Sequence, residues 1–345
     1  MWHNLRALGL ATLPVHHTRA APLGAWFATA ALTGASLAAA APQGCPRNTD
    51  VRPAVQHLQE AMAQGRFIAY EPSSLRVVNG AVTPADPAGI RADLSVLRQK
   101  FDALITYDAV HGAEQIAPIA TALGFRALII GVWNPAADAE LSAAIEAARR
   151  FPDLVVGISL GNETLFAHHS DPQALAAQIA RVRQRLPTTA LTTTEPFHIY
   201  SQPGTAALLG QLDFLLVNVH PIFQPWFRDA SDRTAAQFVV NVLAELAPLS
   251  CGPILVKETG VPSAPATAGF SEQRQASFYL ELRRLLRPSA ARAFAYFSAF
   301  DAPWREFDAG PVPGAHPEEA HFGLYDAGRH PKQAARELPP LPAGD

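Results

Sequence analysis

The stretch Ile254–Ser263 reads Ile-Leu-Val-Lys-Glu-Thr-Gly-Val-Pro-Ser and runs an apolar strand directly into a carboxylate and then into a turn. Its first three apolar residues suit a buried strand, and Gly260 and Pro262 end that strand immediately after Glu258. A carboxylate at the carboxyl end of a buried strand lies where an α/β protein presents its chemistry to solvent. The stretch therefore predicts an α/β fold with Glu258 at its functional edge.

A second stretch, Leu154–Leu160, has the same design and leads into Gly161, Asn162 and Glu163. The two strand-end glutamates are far apart in sequence, but strands of one sheet can bring them to the same cleft. Enzymes that cleave acetals by acid/base and nucleophilic catalysis commonly use a pair of carboxylates. We therefore expect Glu163 and Glu258 to act together.

Short apolar strands alternate with amphipathic or Ala/Leu-rich helical segments along the chain. The predicted strands are Phe67–Tyr70, Ala103–Tyr107, Arg126–Trp133, Leu154–Leu160, Ala190–Thr194, Phe214–Val219, Pro253–Lys257 and Ala293–Ser298. The predicted helices between them are Pro87–Lys100, Ala113–Leu123, Ala136–Arg150, Pro172–Arg185, Thr205–Gly210, Ala235–Leu246 and Ser271–Leu286. Strands that alternate with helices pair in parallel, with the helices covering the sheet. Eight such strands predict a single (β/α)8 TIM barrel of the α/β class.

The first 41 residues differ in composition from the rest. Arg6 and Arg19 are their only charged residues, and an apolar, Ala-rich run extends from Leu23 to Ala41. This pattern predicts a signal peptide at 1–41, with an uncleaved N-terminal anchor as the alternative. We expect a linker and an N-terminal helix at 42–66, and a catalytic barrel with a C-terminal rim tail at 67–345. Export to a bacterial periplasm or the extracellular space follows from the leader, and membrane attachment follows only if the leader is retained.

The charge balance and the cysteines limit the partners. Without the leader, 25 basic residues stand against 30 acidic ones, a net charge near −5. No basic surface is left to hold a phosphate backbone, so nucleic acid is not an expected partner. Cys45 and Cys251 are the only cysteines, and they either pair or leave a buried free thiol. We expect a monomer.

The sequence predicts neither a cofactor nor a metal. It contains no glycine-rich phosphate loop. The adjacent His168 and His169 cannot easily face one ion, so they are expected in a solvated loop.

If the chain folds into a (β/α)8 barrel, its catalytic and binding residues should lie at the carboxyl ends of the strands. Polar and aromatic residues indeed follow the predicted strands: Tyr70, Glu71, Tyr107, Asp108, Trp133, Asn134, Asn162, Glu163, Glu195, Asn218, His220, Glu258, Asp301 and Trp304. A sugar ring needs this mixture, because its hydroxyls require hydrogen-bond partners and its apolar faces require aromatic platforms. Trp304 is the strongest candidate for a platform.

Simpler roles exist for both glutamates. Glu163 could be a surface loop carboxylate, and Glu258 could be half of a structural ion pair, since buried charges are paired. Asn162 favours the functional interpretation for Glu163, because an amide beside the acid can bind the 2-hydroxyl of a sugar.

The motifs Leu160-Gly-Asn-Glu163 and Lys257-Glu-Thr-Gly-Val-Pro-Ser263 resemble the two signature strands of glycoside hydrolase family 17, a β-1,3-glucanase family built on (β/α)8 barrels. Further matches are Tyr107-Asp108, Thr194-Glu195-Pro196, Asn218-Val-His220-Pro221 and Phe300-Asp301-Ala-Pro-Trp304-Arg305. These last features, with Ala320-His-Phe-Gly-Leu-Tyr325, are more similar to bacterial members than to plant ones. The resemblance covers most of Phe67 to Lys332.

The resemblance implies a retaining enzyme acting on β-1,3-glucan, with Glu163 as general acid/base and Glu258 as nucleophile. The substrate-binding residues that it and the strand-end pattern predict are Tyr70, Tyr107, Asn162, Glu195, Asn218, His220, Asp301, Trp304 and Arg305. The sequence departs from the family at Val261, where tryptophan is usual, and at Ser298 and Ala302, where bacterial relatives often carry acids. These departures leave the carboxylate pair intact and bear on the subsites.

Three other functions compete. The same residues could transfer a glycosyl group to a second sugar instead of to water, and the barrel could bind glucan without turnover. Gly157-Ile-Ser159-Leu-Gly161 also matches the nucleophile elbow of serine hydrolases, with Asp213 or Asp301 and His321 as partners. That elbow requires a sharp turn into a helix, whereas Ser159 is predicted inside a strand.

Overall fold

The computed structural model describes residues 49–78, 81–307 and 316–341. The predicted leader at 1–41 and Cys45 lie outside these residues, whereas Cys251 is disulfide-bonded. Within the described part of the chain, no helix is both long and apolar enough to cross a membrane.

Eight parallel strands close into a barrel, which confirms the predicted fold class. They are β1 (Phe67–Ala69), β4 (Ala103–Ile105), β5 (Ala127–Val132), β6 (Val155–Asn162), β7 (Leu191–Pro196), β8 (Leu215–Asn218), β9 (Ile254–Glu258) and β10 (Arg292–Tyr296). Each strand pairs with its neighbour in sequence, and β1 closes the sheet by pairing with both β4 and β10. Nearly every residue of these strands is buried, as expected for a parallel sheet covered by helices.

The helices lie where the helical spacing predicts them, within a few residues. They are α1 (Arg52–Gln64), α2 (Pro87–Leu97), α3 (Ile116–Ala122), α4 (Asp138–Arg150), α5 (Pro172–Arg185), α6 (Ala206–Leu209), α7 (Asp232–Leu246), α8 (Glu272–Leu285) and α9 (Gln333–Glu337). Side-chain caps fix several starts: Asp86, Asp171, Ser231 and Ser271 each accept a backbone N–H of the first turn. The short helix α9 lies in the C-terminal tail.

Helix α1 closes the amino-terminal end of the barrel. Its buried Leu58, Ala61 and Met62 belong to one apolar cluster with residues from the barrel strands, among them Phe67 and Phe214. The lower barrel is therefore a packed core, and only its carboxyl-terminal end is left for polar side chains.

A two-stranded antiparallel sheet, β2 (Arg76–Val78) and β3 (Ala81–Thr83), was not predicted. Its strands have only three residues each, and their alternating exposure gives too short a pattern to distinguish from a loop. The sheet lies between β1 and α2 in the chain, so it builds up the carboxyl-terminal rim.

The packing of α1 predicts a large stability effect. Leu58 is fully buried, so Leu58→Ala should lower the free energy of unfolding by about 2–5 kcal/mol through lost burial and a residual cavity. Leu280→Ala is the control, because Leu280 is 37% exposed and should change stability by less than about 1 kcal/mol. Urea denaturation measures both, and equal effects would contradict the role of α1 as a buried plug.

Candidate active site

The two glutamates lie at the carboxyl ends of β6 and β9 and are both buried. Glu163, which follows β6, is 7% exposed, and Glu258, the last residue of β9, is 4% exposed. Asn218 connects them: its Nδ2 donates to Glu163 Oε1 at 2.9 Å, and it pairs in register with Glu258 across β8 and β9. The structure thus brings the predicted carboxylates to one polar cluster.

An irregular turn presents Glu163. Ser159 pairs with Thr192 and Asn162 with Thr194, so β6 contains an extra residue against β7. Gly161 has φ +88°, and a Cβ there would lie 2.4 Å from Thr164 Oγ1, so glycine is required. Glu163 itself has φ +54°, a left-handed conformation that costs about 1–3 kcal/mol outside glycine. Such strain is typical of functional positions.

A second irregularity lies in β9. Val217 of β8 pairs with Val256, but the next residue, Asn218, pairs with Glu258, so Lys257 is the extra residue of a bulge. Strict alternation would place Lys257 on the side of the strand opposite Glu258, but the bulge interrupts the period of two. Lys257 Nζ lies 3.9 Å from Glu258 Oε1 and donates to Asn162 Oδ1 at 2.7 Å.

Glu258 is surrounded by groups that favour its ionised form. Burial by itself raises the pKa of this carboxyl, but the hydrogen bond with His220 Nε2 at 3.3 Å and the charge of Lys257 outweigh it and hold the pKa well below its usual range. Burial, together with the charge of Glu258 and a hydrogen bond to it, raises the pKa of Tyr107 well above its ordinary value. A carboxylate that stays ionised at neutral pH is suited to nucleophilic attack.

Tyr70 is also placed near the rim, but not as a free sugar contact. Its side chain is fully buried, and its hydroxyl donates to Asp93 Oδ2 at 3.0 Å. Arg329 from the tail also binds Asp93, at 2.6 Å. Tyr70 lines a pocket whose other walls include Glu71, Tyr107, Trp133 and the apolar side chains of Val77 and Val82 from the β2–β3 sheet.

Glu195 lies beneath the site instead of facing a sugar. It is fully buried, and its two carboxylate oxygens accept the backbone N–H groups of Leu165 at 2.8 Å and Phe166 at 3.1 Å. These bonds fasten the loop that follows Glu163. The contacts assign Glu195 to loop positioning, which its place at a strand end could not reveal.

The remaining predicted residues form a second group beside β10 and β1. Arg305 Nη2 donates to Glu71 Oε2 at 2.8 Å, and its guanidinium lies 5.5 Å from the centre of the Trp304 ring. Asp301 Oδ1 accepts from Lys332 Nζ at 2.6 Å and from the backbone of Gly323. Glu71, Asp301, Trp304 and Arg305 line one small depression.

The serine hydrolase hypothesis fails on geometry. Ser159 lies inside β6, is 1% exposed, and its Oγ lies 2.8 Å from Thr194 Oγ1. The strand–turn–helix elbow that this chemistry requires is therefore absent at Ser159. Among the described residues, no group of three or more His, Cys, Asp or Glu could hold a metal ion.

Val261 does not line the site. It is fully buried, its N–H and C=O both bond the Tyr296 hydroxyl at 3.0 Å, and Gln275 donates to the same carbonyl at 3.2 Å. The absence of tryptophan at this position therefore concerns the core behind the turn.

A (β/α)8 barrel that ends two of its strands in buried, neighbouring glutamates has the fold and the groups of a glycoside hydrolase. The family model described as the BtgE/BtgC glycoside hydrolase domain matches residues 68–323. The chain belongs to this family and is a glycosidase.

Two curated relatives are fungal. A glucan 1,3-β-glucosidase of Arthroderma benhamiae is 28% identical over 262 residues, covering 72% of this chain and 84% of that protein. The probable β-glucosidase btgE of Aspergillus clavatus is 27% identical over 251 residues, which cover 70% of this chain but only 42% of that protein. Similarity to bacterial members thus stays a prediction.

Two solved structures share the fold. A β-1,3-glucanosyltransferase of Rhizomucor miehei, an active-site mutant in complex with laminaritriose, superposes with a TM-score of 0.59 at 22% identity, covering 78% of this chain and 96% of that one. An endo-laminarinase from Formosa Hel1_33_131 gives a TM-score of 0.62 at 19% identity, covering 80% and 90%.

The position of Glu195 predicts a pH dependence of stability. Burial raises its pKa to about 8, against the opposing backbone hydrogen bonds, from an ordinary value of 4.5. The folded state therefore binds more protons than the unfolded state between these pH values, and Glu195 destabilises the fold progressively as pH rises from about 4.5 to about 8. Glu195→Gln should flatten that decline, as measured by urea unfolding at several pH values.

Glu245→Gln is the matched control, because Glu245 is exposed on α7. Its pH profile of stability should follow that of the wild type. If Glu195→Gln also follows the wild type, the protonation assigned to Glu195 is wrong.

Proposed function

We propose that this glycosidase cleaves β-1,3-linked glucan with retention, with Glu258 as nucleophile and Glu163 as general acid/base. The observation that carries the proposal is the unequal environment of the two buried carboxylates. Glu258 contacts both His220 and Lys257, which favour its ionised form, while Glu163 follows a bulge in a left-handed conformation and accepts a hydrogen bond from the Asn218 amide. Two carboxylates in different surroundings are what an acid and a nucleophile require.

The reaction follows from these roles. Glu258 attacks the anomeric carbon while Glu163 donates its proton to the departing glycosidic oxygen, which leaves as an alcohol. A covalent glycosyl-enzyme ester results. Glu163, now ionised, takes a proton from water as the water oxygen attacks the same carbon, and Glu258 departs as a carboxylate. Two inversions give net retention.

The substrate class is drawn from the relatives and from the cleft. The relatives named above are described as acting on 1,3-β-glucan or as β-glucosidases. Asn162 and Asn218 place amide groups beside the two carboxylates, and two pockets at the carboxyl end of the barrel are lined by the aromatic side chains of Tyr107, Trp133 and Trp304. This combination suits a neutral sugar chain. The leader predicted from the sequence at 1–41 supports export.

Transfer to a second sugar is the alternative, and one observation favours it. The segment after β8 carries two exposed aromatic side chains, Phe223 at 41% and Trp226 at 36%. Phe223 lies 5.6 Å from His220, ring centre to ring centre, and His220 contacts the proposed nucleophile. An exposed aromatic ring next to His220, such as Phe223, could hold an acceptor sugar and exclude water.

Removal of the carboxylates tests the roles. Glu258→Ala should abolish turnover of a laminari-oligosaccharide, and Glu163→Ala should lower it by about 10²–10⁴-fold, as measured by product release. Added azide should give an α-glycosyl azide with Glu258→Ala and a β-glycosyl azide with Glu163→Ala, because the anion replaces a different oxygen in each variant. Glu245→Ala should keep full activity. Turnover by a folded Glu258→Ala variant in the absence of azide would overturn the assignment.

Product analysis separates hydrolysis from transfer. A transferase should convert a defined β-1,3-oligosaccharide into longer products, and Phe223→Ala should shift the product ratio toward hydrolysis because acceptor stacking is lost. Leu280→Ala, on the outer face of α8, is the control. If the wild type gives only shorter products at high substrate concentration, the enzyme is a hydrolase.

A further inference from the structure

Lys257 is a buried cation inside the proposed active site, and the mechanism above gives it no step. Only 1% of its surface is exposed, and the bulge in β9 makes it a neighbour of Glu258 in space as well as in sequence. An ammonium group in such a place is costly unless it is paired, so its contacts define its use.

Three groups surround the ammonium group. Nζ donates to Asn162 Oδ1 at 2.7 Å, lies 3.9 Å from Glu258 Oε1, and sits 4.0 Å from the centre of the Tyr107 ring. The last contact is within the range of a cation–π interaction. Lys257 therefore connects the ends of β6 and β9 and the segment after β4.

The bond to Asn162 decides how its amide is oriented. An ammonium group only donates hydrogen bonds, so it must face the amide oxygen and not the NH2 group. The NH2 group then points away from Lys257, and among the described residues Asn162 Nδ2 has no hydrogen-bond partner. Asn162 directly precedes the proposed acid, so this buried donor without a partner lies beside Glu163, where a bound sugar hydroxyl could take it up.

We propose that Lys257 is a positioning residue of this glycosidase: in its protonated form it fixes the amide of Asn162 toward the substrate and keeps Glu258 ionised. The inference rests on the proposed function, because Lys257 is proposed to position groups that take part in that reaction. Loss of the proton would let the amide turn and remove a positive charge beside the nucleophile.

The charges that face Lys257 come from several elements. Glu258, Glu163 and Glu71 favour the protonated form, and Arg305 disfavours it. His220 contacts the same carboxylate as Lys257 and is the other potential cation beside Glu258. Burial outweighs the attraction of Glu258 and lowers the pKa of Lys257 to about 8 from its ordinary 10.5.

Activity and stability should then change in opposite directions above pH 8. Activity should fall as Lys257 loses its proton. Stability should rise, because between about pH 8 and 10.5 the unfolded chain binds this proton and the folded chain does not. A lysine that served only packing would change stability without moving the pH dependence of catalysis.

Two substitutions test the proposal. Lys257→Met should lower kcat by about 10²-fold with a smaller change in KM, because the reacting groups lose their alignment. Lys257→Arg keeps a cation and should retain more activity while moving the alkaline loss of activity to higher pH. An alkaline limb that is unchanged in a folded Lys257→Arg variant would overturn the proposal.

A double-mutant cycle tests whether Lys257 acts through Asn162. In an Asn162→Ala background, Lys257→Met should change kcat far less than it does in the wild type. If the two effects multiply to within about a factor of two, the residues act independently and the proposed positioning is wrong.

Lys332→Met is the matched control. Lys332, in the C-terminal tail, is another buried lysine, and it donates hydrogen bonds to Asp301 and Ser263. It should affect stability but leave the alkaline limb of the activity profile in place.

A stability measurement needs no substrate. The rise in unfolding free energy between pH 8 and 10 should be smaller in Lys257→Met than in the wild type. Absence of glucan turnover in the wild type would refute the proposed function. Equal pH profiles of stability in the wild type and Lys257→Met would instead refute the loss of a proton from Lys257 in this pH range.

Discussion

Three ionisable side chains, Glu163, Lys257 and Glu258, are buried together at the carboxyl ends of two strands, and their mutual compensation is the constraint on which the site depends. Two buried carboxylates repel each other and lose hydration. A single ammonium placed 3.9 Å from one of them and bonded to the residue before the other offsets part of that penalty. These contacts link the positions of the three side chains.

The barrel makes this clustering possible by separating its two ends. Leu58 and Met62 of α1 and the small and apolar side chains of the strands fill the lower half, so no polar group is needed there. The upper half contains the exceptions to regular strand geometry. Both β6 and β9 gain an extra residue just before their glutamates, and each bulge turns an additional polar side chain, Asn162 or Lys257, toward its partner. In regular strands only every second side chain would point into this cluster.

The sequence predicted the architecture well, because strand and helix periods repeat eight times and each repeat supports the others. It also predicted which strand ends carry carboxylates. It did not reveal Lys257, since a bulge leaves no mark on the hydrophobic pattern, nor the β2–β3 sheet, whose strands are too short to show a period. Glu195 and Tyr70 were expected to face sugar, but a residue number cannot tell whether a strand-end side chain turns outward or bonds the loop beneath it.

Val261 shows how such a local difference can be misread. Tryptophan is expected in this turn, so its absence suggested an altered wall of the substrate cleft. In the structure Val261 is part of the core, held by Tyr296 and Gln275. The residues that do shape the rim are Val77 and Val82 of the inserted sheet, which face Tyr107 and Trp133 across one pocket. Because this sheet lies between β1 and α2, and not in a signature strand, part of the rim of the cleft is built by a segment that the catalytic motifs do not describe.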